Sequence, residues 1–62
     1  MLYPTLSAVE NLDYFTKLSN KTFDKQQLQN YLSEAGLEKA AHNNRVNTFS
    51  KGMRQKVGIA LA

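Results

Sequence analysis

The apolar positions of this 62-residue chain fall into three groups at helical spacing. Each group is introduced by a polar residue able to cap a helix. Ahead of the first group, Pro4 disfavours helix at Tyr3, so residues 1–6, with Tyr3-Pro4-Thr5-Leu6 at their centre, are expected to form an extended lead-in. Ser7-Ala8-Val9-Glu10 has the spacing of a capping box, in which a hydroxyl and a carboxylate three residues apart satisfy amides that the first turn leaves unpaired. The spacing predicts a helix from Ala8 to about Leu18, with Ala8, Leu12 and Phe15 in one stripe and Val9 beside it.

Ser19-Asn20-Lys21-Thr22 reads as a turn. Asp24-Lys25-Gln26-Gln27 is a second capping box, and Phe23 and Leu28 flank it at the spacing of a hydrophobic staple. The helix that follows presents Leu28, Tyr31, Leu32 and Ala35 on one face. It should end at Gly36 in a left-handed residue, with Leu37 turned back toward Leu32. Glu38–His42 can form a short helical turn, Asn43-Asn44 breaks it, and Arg45–Phe49 is expected to be extended. The third helix should start after Ser50, with Met53, Val57, Ala60 and Leu61 on one face. Gly58 costs about 1 kcal/mol against alanine inside a helix, so a close packing contact is expected there.

These elements predict an all-α fold, a small bundle of about three helices. A chain this short buries only roughly 60% of its unfolded surface, which leaves room for one domain at most. The last apolar run, Val57–Ala62, has no glycine cap or polar end. Residues 1–62 are therefore expected to be part of a larger domain, with residues 48–62 holding a truncated last helix. As a terminal segment, Leu2–Thr5 is expected to be loosely ordered.

The chain has no cysteine, so neither a disulfide framework nor a Cys-based zinc site is available. No apolar run approaches the ~20 residues of a membrane span. Residues 1–36 carry a net charge of −1, and residues 37–62 carry +4 from Lys39, Arg45, Lys51, Arg54 and Lys56 against Glu38. A basic C-terminal part points to a phosphate-bearing partner or to a solvated basic face. The helix start at Ser50 gives that charge a focus. A serine N-cap, unpaired first-turn amides, a glycine that lets a ligand approach the backbone, and Lys51 or Arg54 nearby are the parts of a phosphate site. The same parts occur in an ordinary capped surface helix. Glu10 and Asp24 are explained as caps, and His42 as a surface histidine in a polar turn.

The stretch Phe49-Ser50-Lys51-Gly52-Met53-Arg54-Gln55-Lys56 resembles the signature motif of ATP-binding cassette (ABC) proteins, usually written L-S-G-G-Q-x-Q-R. Ser50, Gly52 and Gln55 match, Phe49 and Lys56 are conservative, and Lys51 and Met53 depart from the commonest form. Leu2-Tyr3-Pro4-Thr5-Leu6-Ser7-Ala8-Val9-Glu10-Asn11-Leu12 resembles the segment after the family's Q-loop, often L-Y-P-x-L-T-x-x-E-N-L. Glu34-Ala35-Gly36-Leu37 follows at the family's spacing. The F-S-K-G-M form is similar to that of ABC ATPases that drive export-type permeases.

The resemblance implies the helical subdomain of an ABC ATPase, without its α/β core. It implies that Ser50 and Gly52, with Lys51 and Met53 beside them, contact the γ-phosphate of ATP bound to the opposite subunit. It also implies a second nucleotide-binding subunit and a transmembrane permease as partners, and a place at the cytoplasmic face of the membrane. In the parent protein the Leu2–Thr5 region would then face the permease. The parent would be an ATPase and this segment alone inactive, since no G-x-x-x-x-G-K-[ST] loop and no apolar strand ending in Asp-Glu occur in it to hold ATP and Mg2+. No nucleic-acid partner is implied. The competing class is a basic three-helix nucleic-acid-binding module. Beyond Lys56 the last helix offers only Val57, Gly58, Ile59, Ala60, Leu61 and Ala62, too few polar side chains to read a groove. A third reading is an interaction module that dimerises through an exposed apolar face.

Overall fold

Three helices pack against one another in the computed structural model, which describes residues 2–61. They are α1 (Ala8–Leu18), α2 (Lys25–Glu34) and α3 (Lys51–Leu61). Two short 3-10 turns, Lys39–Ala41 and Val46–Thr48, lie between α2 and α3. The described residues contain no strand, only an isolated antiparallel bridge between Ser7 and Arg45. The radius of gyration is 10.2 Å, against about 10.6 Å expected for a closed domain of this length. Met1 and Ala62, the outer ends of the expected lead-in and last helix, lie outside the described residues.

Both capping boxes are present. Ser7 Oγ accepts the Glu10 amide at 3.1 Å, and the Glu10 carboxylate accepts the Ser7 amide at 2.8 Å. Asp24 and Gln27 make the same exchange at 2.8 and 3.0 Å. The C-termini are built alike. Gly36, at φ +96°, lets its own amide reach the Ser33 carbonyl at 3.0 Å and the Leu37 amide reach the Leu32 carbonyl at 3.0 Å. This is the Schellman arrangement. Asn20, at φ +59°, closes α1 in the same way, with the Lys21 amide bonded to the Thr16 carbonyl at 2.9 Å.

The core draws on every segment: Ala8, Val9 and Leu12 from α1, Leu28 and Leu32 from α2, Val57 from α3, and Leu37, Ala41, Val46 and Phe49 between α2 and α3. Met53, Ala60 and Leu61 pack onto it from the expected face of α3. Tyr31 stays 42% exposed and meets Phe23 edge-on, with ring centroids 5.5 Å apart.

Four expectations change. Tyr3–Leu6 is a turn closed by a 3.2 Å bond from the Leu6 amide to the Tyr3 carbonyl, not an extended lead-in. It is tied to α1 by Asn11, whose side chain bonds both the amide and the carbonyl of Tyr3. Arg45–Phe49 is extended only at its two ends. Between them the chain tightens into a 3-10 turn, because Arg45 O accepts both the Thr48 amide, at 3.0 Å, and the Thr48 hydroxyl, at 2.6 Å. Gly58 has no packing contact: a Cβ there would meet nothing within 4 Å. His42 is fully buried rather than on the surface, because its ring nitrogen Nε2 is paired with the Leu37 carbonyl at 3.0 Å.

Candidate functional site

Ser50 is delivered to the head of α3 by the buried Phe49 before it. Phe49 is extended, at φ −82° and ψ 148°, and its side chain is sunk in the core. Its amide bonds back to Val46 at 3.0 Å. The chain therefore leaves the 3-10 turn on a fixed course, and Ser50 is the N-cap. Ser50 Oγ accepts the Met53 amide at 3.2 Å, and the Ser50 carbonyl accepts the Arg54 amide at 3.1 Å.

Because Oγ serves the cap as an acceptor, the hydroxyl proton remains available to a ligand. The amides of Lys51 and Gly52 have no acceptor among the described residues, as expected at a helix start. Gly52 is open on its outer side: a Cβ there would come no closer than 4.0 Å to Ser50 Oγ. One hydroxyl and two amides thus converge on open space at the positive end of the helix dipole, a donor set suited to a tetrahedral anion.

The four residues expected at this site take different parts. Ser50, Lys51 and Gly52 are exposed. Met53 is half-buried with its side chain on the core, and its amide is occupied by Ser50. An anion placed at this helix start would therefore meet the Lys51 and Gly52 amides first. Of the two nearby cations, Lys51 stands free on the surface, whereas Arg54 turns Nε back to the Val46 carbonyl at 3.4 Å. The Lys56 stem lies over Gly36, with Cε 3.6 Å from where a Cβ would sit, which places its charge by the C-terminus of α2.

No group of three or more potential metal ligands occurs among the described residues. An open groove of mixed character lies between the end of α1, Phe23 and the end of α3; Leu12, Phe15, Phe23 and Leu61 line it together with the polar Thr16, Ser19, Lys21 and Tyr31. The buried polar residues Asn11 and His42 were not singled out as functional by sequence reasoning. For Asn11 a signal exists: it lies on α1 one turn after Ala8, beside the apolar stripe. For His42 the sequence carries none.

No family model matches the chain, and no solved structure matches it. Two curated proteins do. Over 60 residues it is 42% identical to an uncharacterized ABC transporter ATP-binding protein, YdbJ, of Bacillus subtilis (strain 168), a match covering 97% of this chain and 19% of that protein. Over 63 residues it is 43% identical to the ABC transporter ATP-binding protein NatA of the same organism, covering 98% of this chain and 25% of that protein. The chain is similar to a segment of ABC transporter ATP-binding proteins. It spans a quarter or less of the length of these curated relatives. Both matches take in the Ser50 helix start, because they cover nearly the whole chain. No described helix is long and apolar enough to cross a membrane.

Proposed function

We propose that this chain is the helical, signature-bearing part of an ABC ATPase subunit, and that the head of α3 grips the γ-phosphate of ATP held by a second subunit. The observation that carries this reading is the donor set at Ser50: a free hydroxyl proton and two unpaired amides around an open glycine. The similarity to two ABC transporter ATP-binding proteins over almost the full chain supports it.

Ser50 Oγ–H and the Lys51 and Gly52 amides would hold the phosphate oxygens, and the Lys51 ammonium would add long-range attraction. ATP supplies the phosphate charge that draws the two subunits together. A Walker A loop to cradle the rest of the nucleotide and carboxylates to hold Mg2+ belong to other parts of the parent protein. Binding at Ser50 would be transmitted through the bundle to a transmembrane permease, with the Tyr3–Leu6 turn on the permease side. The subunit would work at the cytoplasmic face of the membrane, on a permease of the subgroup that its F-S-K-G-M form resembles.

The test uses the intact subunit. Ser50→Asp keeps an N-cap acceptor but sets a negative charge against the phosphate. ATP turnover should fall by about a hundredfold or more, in line with the loss of a preorganised oxyanion contact, while nucleotide binding to each separate subunit is retained. Unchanged turnover contradicts the proposal. The isolated 62-residue chain should hydrolyse no ATP, so turnover by a contaminant-free preparation also contradicts it.

A further inference from the structure

We infer that Asn11 is a positioning residue that links the Tyr3–Leu6 turn to the placement of Ser50. The inference rests on the reading of Ser50 as a phosphate contact.

Asn11 is fully buried on α1. Its Oδ1 accepts the Tyr3 amide at 2.7 Å. Its Nδ2 donates to the Ser7 carbonyl at 2.9 Å and to the carbonyls of Tyr3 and Leu6 at 3.1 and 3.4 Å. Burying a carboxamide is costly unless its groups are satisfied, and here they are satisfied by one turn of chain. The carboxamide thereby sets the shape of residues 3–7.

That turn in turn supports the segment leading to Ser50. The Pro4 carbonyl accepts the Asn47 amide at 2.9 Å, and the Leu6 carbonyl accepts the Val46 amide at 3.0 Å. Val46 and Asn47 open the 3-10 turn whose end delivers Phe49 and then Ser50. The Val46 carbonyl accepts two further bonds, from the Phe49 amide at 3.0 Å and from Arg54 Nε at 3.4 Å. Hydrogen bonds thus run without a gap from Asn11 through the Tyr3–Leu6 turn to the first turn of α3. A displacement of the turn at Pro4 is carried to the Ser50 donors, and phosphate held at Ser50 favours one setting of that turn.

Amide hydrogen exchange by NMR on the 62-residue chain tests this. Asn11→Leu should speed exchange at Val46 and Asn47 by about tenfold relative to the amides of α2, the scale of one lost hydrogen bond. The Ser50, Lys51 and Gly52 resonances should shift with them. Pro4→Ala, at an exposed position, should produce the same pattern at smaller amplitude and serves where the Asn11 variant does not fold. Uniform acceleration that includes α2 would mean a merely structural role and would overturn the linkage. So would unchanged exchange at Val46 and Asn47 in a folded variant. If this pattern appears while Ser50→Asp leaves turnover of the intact subunit unchanged, the linkage stands and the phosphate reading fails. If Ser50→Asp abolishes turnover but the pattern is absent, the reverse holds.

Discussion

His42 donates from Nε2 to the main-chain carbonyl of Leu37 across 3.0 Å, inside a fully buried ring environment. A carbonyl can only accept, so the hydrogen sits on Nε2, and Nδ1 is left without a partner. The carbonyl of His42 accepts the Val9 amide at 3.1 Å. One residue thereby caps the start of α1 with its backbone and holds the end of α2 with its side chain.

Replacing this histidine should be costly. His42→Phe keeps a ring of similar size but strips the donor from the Leu37 carbonyl, and should lower stability by about 1–3 kcal/mol. His42→Ala adds a cavity and should cost about 2–4 kcal/mol. Urea unfolding followed by circular dichroism measures both, and a midpoint unchanged by His42→Phe would remove the ring bond from the account.

Gly58 invites the opposite experiment. It is exposed on α3, and a Cβ would meet nothing within 4 Å. Gly58→Ala should stabilise this chain by about 0.8–1 kcal/mol through helix propensity alone. At Gly36, with φ +96°, the same change should destabilise it by about 1–2 kcal/mol. There the nearest atom, Lys56 Cε at 3.6 Å, is in ordinary contact, so the cost lies in the backbone. Thermal unfolding of the two alanine variants should therefore shift in opposite directions.

The local signals in the sequence carried most of the helical frame. Ser7 and Asp24 start helices because an acceptor at the N-cap and an acceptor side chain three residues later solve the same local problem in any tertiary setting. Gly36 ends one because its left-handed backbone is a local property too. What escaped depended on distant partners. The burial of His42 is set by Leu37 and α1, and the turn at Tyr3–Leu6 by Asn11; the 3-10 turn at Val46–Thr48 is closed locally on the Arg45 carbonyl but anchored by the Pro4 and Leu6 carbonyls from the other end of the chain. At the candidate site the Ser50 cap was legible, whereas the inward turn of Met53 and the tether on Arg54 required the fold.

Tyr3 gives a pH prediction. Its ring meets Tyr14 edge-on at 5.1 Å and stacks on Phe15 at 5.8 Å. The neighbouring Tyr14 side chain, whose phenol competes for negative charge, holds the Tyr3 phenol above its ordinary value of 10.0. The folded state thus keeps this proton longer than the unfolded state. The contribution to stability is complete below pH 10.0 and is lost as pH rises through the raised folded value. Tyr14→Phe should bring the Tyr3 titration back down, read from the ring carbon shifts of Tyr3, and an unmoved titration would exclude Tyr14 as the cause.

Ser50 combines a structural duty with the proposed functional one, and two substitutions separate them. Ser50→Ala removes the cap and should cost about 1 kcal/mol of stability. Ser50→Asp restores an acceptor to the Met53 amide, so its stability should stay close to that of the parent chain. Denaturant midpoints of the two variants check this, and an aspartate variant as unstable as the alanine one would argue against the cap geometry.

Ser50 is proposed to act on ATP bound by another subunit. The direct measurement is ATP-driven association of the intact subunit, followed by sedimentation in a turnover-blocked background. Wild type should dimerise when ATP is added. The Ser50→Asp subunit should bind ATP as wild type does and yet remain monomeric. ATP-driven dimers of the aspartate variant, or loss of ATP binding by its monomer, would contradict the account.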